Sequence, residues 1–146
     1  MKIALASDHA GFELKEILIK ELEEKGHNVS DYGTYSNESI DYADFAYVAA
    51  RSVAEHNYNF GIIICGSGVG VSITANKVNG IRAANCCNNE IAALARQHND
   101  ANILCLGARF VTVEDAIEMV DTFMNTKFEG GRHQRRIEKI HDLTGC

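Results

Sequence analysis

Apolar positions along this chain switch repeatedly between a strand-like run and a helical period. Lys2 to Ser7 is a short apolar run of strand length. Leu14, Ile17, Leu18 and Leu22 follow at helical spacing, and Lys25-Gly26 is a helix stop signal. His27 to Asp31 predicts a second strand, followed by a polar loop around Gly33 to Ser39. Phe45, Val48, Ala49, Ser52 and Val53 mark a second amphipathic helix. Phe60 to Cys65 predicts the third strand, and a short helix carrying Val71, Ile73, Thr74 and Asn76 follows it. Ile81 to Ala84 predicts a fourth strand, and Ile91, Leu94, Ala95 and His98 share one face of a fourth helix. Asn102 to Leu106 predicts a fifth strand. Thr112 caps a helix carrying Val113, Ala116, Ile117, Val120 and Phe123. A last, basic helix starts near Gly131 and runs toward Leu143.

Five strands alternating with helices predict an α/β fold: a three-layer, doubly wound sheet of five parallel strands, Rossmann- or flavodoxin-like, with an extra C-terminal helix. The length of 146 residues fits a single domain over 1–146. No linker, internal repeat or proline interrupts it.

The third strand ends in Cys65 and runs into Gly66-Ser67-Gly68-Val69-Gly70. The carboxyl end of a parallel strand is where open α/β sheets place their ligand crevice. Alternating glycines let backbone N–H groups approach an anion, and the start of a helix adds partial positive charge. A cysteine on the lip of such a loop is helped toward thiolate. The loop is not a P-loop, because no Gly-Lys-Ser/Thr follows. It also fails the dinucleotide fingerprint, since Val71 stands at the third glycine position. The segment therefore offers an anion cradle and a candidate base or nucleophile; the plainer reading of Cys65 is a small buried hydrophobe.

Composition narrows the function classes. Apolar content is 46 % and charged content 23 %, ordinary for a soluble globular domain. No stretch reaches the apolar length of a membrane span, and MKIALASDHAGF lacks a signal-peptide pattern, so a cytoplasmic protein is expected. Five cysteines (Cys65, Cys86, Cys87, Cys105, Cys146) without a CxxC fit reduced thiols rather than disulfides or a zinc site, and no metal or cofactor is expected. The four besides Cys65 are read as structural. A net charge of −6 argues against nucleic-acid binding. Lys127, Arg132, Arg135, Arg136 and Lys139 nevertheless cluster with only Glu129 and Glu138 between them. Such a patch on an acidic protein suits a small phosphorylated ligand, or simply a solvated helix face.

Two further residue groups carry possible chemistry. Asp8-His9 follows the first strand, on the same edge of the sheet as Cys65; Asp8 alone reads as a helix N-cap. His98 closes the fourth helix and continues its apolar stripe, so it is expected to face inward. A cysteine base with a histidine acid is a workable proton-transfer pair.

Six segments together give this chain a resemblance. They are Ser7-Asp8-His9-Ala10-Gly11-Phe12, Cys65-Gly66-Ser67-Gly68-Val69-Gly70, Ala75-Asn76-Lys77, Gly80-Ile81-Arg82-Ala83, Arg96-Gln97-His98-Asn99-Asp100-Ala101-Asn102 and Glu129-Gly130-Gly131-Arg132-His133-Gln134-Arg135-Arg136. In this order they resemble the type B ribose-5-phosphate isomerases, whose family includes galactose-6-phosphate isomerase subunits, over essentially the whole chain. The resemblance implies a metal-independent interconversion of ribose 5-phosphate and ribulose 5-phosphate through an enediolate. It implies Cys65 as the base and His98 as the acid in ring opening. It further implies Ser67 with the backbone of Gly66, Gly68, Val69 and Gly70 as the anion hole. Asp8, His9 and Asn99 match sugar contacts, and Arg109, Arg132 and Arg136 match phosphate ligands. It implies a homodimer, with pairing into a dimer of dimers left open, the site between subunits and the arm at about 127–146 packed on the partner.

Two alternatives stay open. One is an isomerase acting on a hexose phosphate such as allose 6-phosphate or galactose 6-phosphate. The intact GGRHQRR segment, which galactose-6-phosphate subunits generally lack, leans toward a pentose. The other is a non-catalytic phosphate-binding module, which needs the loop and arginines but neither Cys65 nor His98. A flavodoxin-like electron carrier is disfavoured, because no hydroxyl-rich phosphate loop follows the first strand.

Overall fold

A computed structural model describes residues 1–146. In chain order it has β1 (Lys2–Ser7), α1 (Phe12–Glu24), β2 (Asn28–Asp31), α2 (Tyr42–Ala54), β3 (Phe60–Cys65) and α3 (Val69–Ala75). There follow β4 (Ala83–Asn85), α4 (Asn89–Asn99), β5 (Ile103–Gly107), α5 (Val113–Asn125) and α6 (Arg132–Thr144). Every strand pairing is parallel, and the order across the sheet is β2-β1-β3-β5-β4. The expected three-layer sheet with an added C-terminal helix is present. Its last two strands exchange places relative to the plain flavodoxin-like order. Burial accounts for this. The five residues of β5 are all buried and fill a central position, whereas the short β4 is partly exposed and serves as an edge.

Alternate residues of the central strands face opposite helical layers. Ile3, Leu5, Ile62, Ile64, Leu104 and Leu106 meet α1, α4 and α5. There Leu14, Leu18 and Leu22 of α1 are buried, each contributing about 2 kcal/mol of apolar burial. Ala4, Ala6, Ile63, Cys65, Ile103 and Cys105 face α2 and α3. Small residues on both sides let α2 lie close, through Ala46, Ala49 and Ala50.

This arrangement makes the switch point. The chain leaves β1 for α1 on one face and leaves β3 for α3 on the other. The carboxyl ends of these neighbouring strands place Asp8-His9 and Gly66–Gly70 side by side at one edge of the sheet, where open α/β sheets bind their ligands.

Several expectations shift in detail. Val48 is exposed, and the buried stripe of α2 is Ala46, Ala49, Ala50 and Val53. Ile91 is likewise exposed, and α4 buries Ala92 and Ala95. On α3, Val71 and Ala75 turn inward while Ile73 is exposed. β4 begins at Ala83 rather than Ile81, and β5 at Ile103 rather than Asn102. The Asn102 side chain accepts the Arg82 N–H (2.9 Å) and donates to the Gly80 carbonyl (2.8 Å), forming a side-chain clamp just outside both strands. Thr112 caps α5 as expected, accepting the Asp115 N–H at 3.1 Å.

Candidate active site

Cys65 is 4 % exposed, and its Sγ accepts the Gly68 N–H at 3.1 Å. The glycine spacing has local reasons. Gly68 has φ +77°, and a Cβ there would lie 2.1 Å from Asn85 Oδ1. A Cβ on Gly70 would meet the Tyr42 ring at 2.5 Å, and one on Gly66 would press on the Arg109 guanidinium at 3.3 Å. The loop is thus wedged against Arg109, Asn85 and Tyr42 at Gly66, Gly68 and Gly70, where no side chain has ordinary room. Gly107 has the same role from β5: its added Cβ would sit 2.7 Å from the Ser67 carbonyl carbon.

The loop's donors divide into two sets. The Gly68 N–H is spent on the thiol, and the Val69 N–H on Ser67 Oγ at 3.3 Å. The N–H groups of Gly66, Ser67 and Gly70 have no partner within the chain. Three free donors beside a buried sulfur can hold a developing oxyanion.

Just past the end of the neighbouring β1, Asp8 is 7 % exposed and its Oδ1 accepts the Gly11 N–H at 3.0 Å. Gly11 itself occupies the N-cap position of α1, so the Asp8 carboxylate holds the turn before the helix. His9 Nδ1 accepts the Ile40 N–H at 3.3 Å, which in the neutral ring leaves the proton on Nε2. Asp8, His9, Cys65, Ser67 and the glycine loop therefore share one edge, with the exposed Arg109 packed on Gly66.

His98 and Asn99 do not join them. They end α4 at the opposite, amino edge of the sheet, where Arg82 donates to the Asn99 carbonyl at 2.9 Å just before β4 begins. Asp100, left-handed at φ 43°, ends the helix there, held by Arg96 at 2.7 Å and Arg82 at 3.1 Å. Cys65 pairs with Gly107 at the far end of β5 from Ile103. The length of β5 alone separates the two edges by about 13 Å. Arg132 and Arg136 lie exposed on the first turns of α6, and the Glu129 N–H just before it donates to the Gln97 carbonyl at 3.1 Å. The sequence-predicted residues of a single chain thus fall into two groups on opposite edges.

The inward orientation expected for His98 is also corrected. Its side chain is 36 % exposed and stacks on the buried His133, with ring centroids 4.2 Å apart and an interplanar angle of 5°. Glu129 Oε2 lies 4.0 Å from His98 Nε2 and 3.6 Å from His133 Nε2. His133 was not singled out by sequence reasoning, although it lies inside the basic segment. Tyr42, Asn85 and Gly107 also went unnoticed, since only the fold brings them to the loop.

The remaining cysteines divide. Cys86 and Cys105 are buried, and burial pushes the Cys86 thiol up to about 12 and raises that of Cys105. Both are core residues, as expected; Cys87 and Cys146 are exposed. None of the larger cavities reaches Cys65. One of about 420 Å³ lies under α6 against Ile81 and Arg82, and one of about 670 Å³ opens at the amino edge near Arg96 and Lys127. No helix is long and apolar enough to cross a membrane.

Residues 3–140 match the family model described as Ribose/Galactose Isomerase. The chain belongs to the ribose/galactose isomerase family. Within this family it is 48 % identical over 139 residues to the Escherichia coli protein named ribose-5-phosphate isomerase B, covering 95 % of this chain and 93 % of that one. A Clostridium thermocellum ribose-5-phosphate isomerase B structure superposes with a TM-score of 0.98 at 48 % identity, covering 99 % of this chain and 98 % of that one. The Mycoplasma genitalium family member, solved with bound ribulose-5-phosphate, gives 0.95 at 49 % identity, covering 99 % and 96 %.

Proposed function

We propose that this chain is a ribose-5-phosphate isomerase of type B, interconverting ribose 5-phosphate and ribulose 5-phosphate. The observation that carries the reading is the buried Cys65 Sγ, fixed by the Gly68 N–H beside three unpaired loop donors. The open-chain aldose places C2 over the sulfur. The Cys65 thiolate removes the C2 proton, and the loop N–H groups with the Ser67 hydroxyl hold the oxygen of the enediolate. As the C2 hydroxyl proton passes to O1, the same thiol returns the carbon-bound proton to C1, giving the ketose with its carbonyl at C2. Proton transfer and oxyanion stabilisation suffice for these steps, so the mechanism is metal-independent. Asp8, His9 and Asn99 bind sugar hydroxyls, and Arg109, Arg132 and Arg136 bind the phosphate through planar guanidinium forks.

Ribose 5-phosphate enters as a furanose, and ring opening breaks the C1–O4 bond as the C1 carbonyl forms: O4 gains a proton and the C1 hydroxyl gives one up to water. His98 is the acid that supplies O4. Because His98, Asn99, Arg132 and Arg136 lie across the sheet from Cys65 of their own chain, the complete site takes them from a second copy. That no cavity within one chain reaches Cys65 supports this reading. The assembly is then a homodimer with segment 127–146 at the partner's site, acting on a cytoplasmic sugar phosphate.

The test is turnover of ribose 5-phosphate by purified protein with a chelator present, beside Cys65→Ala. Wild-type turnover is expected to survive chelation, and Cys65→Ala to lose at least about 10³-fold in kcat while still binding sugar phosphate. A chain that binds but never turns over would leave the phosphate-binding module, and turnover of hexose phosphates alone would leave the six-carbon isomerase.

A further inference from the structure

His133 is a buried ring that the chemistry above does not use. Its side chain is 5 % exposed and lies flat beneath His98. Arg132 Nε donates to His133 Nε2 at 3.4 Å, which leaves the ring proton on Nδ1. His98, Glu129 and His133 also bring three metal-ligating groups within 4.8 Å. Their geometry does not favour a metal. Parallel rings keep their in-plane lone pairs from converging on one ion, and the His133 Nε2 lone pair already accepts from Arg132.

The same geometry suits another task. A proton donor to a ring oxygen must be held at one angle and must be able to carry positive charge. A flat ring under His98 fixes its plane, and the face of a neutral aromatic ring stabilises a cation stacked on it. We propose that His133 is a positioning residue for His98: an uncharged platform that orients the acid and supports its protonated form, with Glu129 as counter-charge. The proposal rests on the reading of His98 as the ring-opening acid. The surrounding groups keep the platform uncharged. Burial opposes its protonation, as do His98 on α4 and Arg132 and Arg136 on α6, while only Glu129 favours it. The lowered pKa of His133 agrees with this arrangement.

Substrate chemistry separates this role from a structural one. Ribulose 5-phosphate has no hydroxyl placed to close a five-membered ring, so it is acyclic. Exchange of its C1 proton with deuterated solvent needs the Cys65 step but no ring opening. In His133→Ala, kcat for ribose 5-phosphate is expected to fall at least about tenfold with KM nearly unchanged and the acidic limb of the pH profile displaced. C1 exchange of ribulose 5-phosphate stays within about twofold of wild type. His133→Phe keeps a flat ring and is expected to retain most of the turnover. His98→Ala is expected to show the same split between turnover and exchange.

Equal loss of exchange and turnover in His133→Ala overturns the proposal, leaving His133 a packing residue. Unchanged turnover in that variant overturns it as well. His98→Ala with both activities lost alike overturns the acid assignment on which it stands. Wild-type protein that neither exchanges nor isomerises overturns the isomerase reading itself, and the proposal with it.

Discussion

At the carboxyl edge of the sheet, reactive groups are held by backbone. Cys65 receives the Gly68 N–H, Asp8 receives the Gly11 N–H, and His9 receives the Ile40 N–H. At the amino edge they are held by side chains: His98 by the His133 ring, Asp100 by Arg82 and Arg96, and His133 by Arg132. Backbone amides at a strand end are fixed before any ligand arrives, which suits an oxyanion hole that must not reorganise. Side-chain stacks and ion pairs hold long, charged groups, which the proposed function has reaching outward to a phosphate or a ring oxygen. On the proposed function, the difference teaches that one chain carries two incomplete sites of complementary kinds.

The sharpest test of that division is complementation. Cys65→Ala damages only the carboxyl edge and Arg132→Ala only the amino edge, and each homodimer is expected to be nearly inactive. In a mixed dimer one interface site receives both defects and the other receives neither. Refolding the two inactive chains together at equal amounts should therefore recover roughly a quarter of wild-type turnover. No recovery, with mixed dimers demonstrated by mass spectrometry, would put Cys65 and Arg132 in one subunit's site and break the comparison.

A smaller effect probes the carboxyl edge alone. Gly68→Ala forces a side chain onto a φ of +77° and into Asn85 Oδ1, and it moves the N–H that Cys65 Sγ accepts. Backbone strain of about 1–2 kcal/mol is expected in stability. The kinetic cost is larger, because displacing preorganised groups by an ångström costs about 100-fold in kcat. Asn85→Ala on the same background relieves the clash but not the positive φ, so it is expected to recover only part of the loss. Full recovery would mean that contact, rather than loop conformation, sets the geometry.

The two edges also differ in how readily the sequence reveals them. The central strands are apolar runs because both of their faces are buried, and Phe60–Cys65 has the same bounds in the sequence pattern and in the fold. The glycine loop is legible for a related reason: its spacing encodes local backbone geometry. Helix faces are less so. Alanine packs the core of α2 and α4 while the larger Val48 and Ile91 stay exposed, so a pattern weighted by residue size points one position astray. The amino edge leaves almost no local trace. It exists because the Glu129 N–H reaches the Gln97 carbonyl and lays α6 beside α4. The basic segment was visible, but neither its distance from Cys65 nor the His98–His133 stack follows from local spacing.

That stack has a signature in stability. Burial is the main force holding the His133 pKa below the ordinary imidazole value of 6.5, with His98, Arg132 and Arg136 adding to it and Glu129 opposing. Between the depressed value and 6.5 the unfolded chain binds more protons at this residue than the folded one. Stability therefore rises with pH through that window. The contribution is full above 6.5 and is lost as pH falls through the depressed value. His133→Phe keeps the stacked ring and removes the titration. Its Tm is expected to fall less than that of wild type between about pH 7.5 and about pH 5.5, by a few degrees at most. If the two proteins lose equal Tm on acidification, His133 accepts a proton in the folded state as readily as in the unfolded one. The amino edge would then hold a charged pair rather than an uncharged platform under His98.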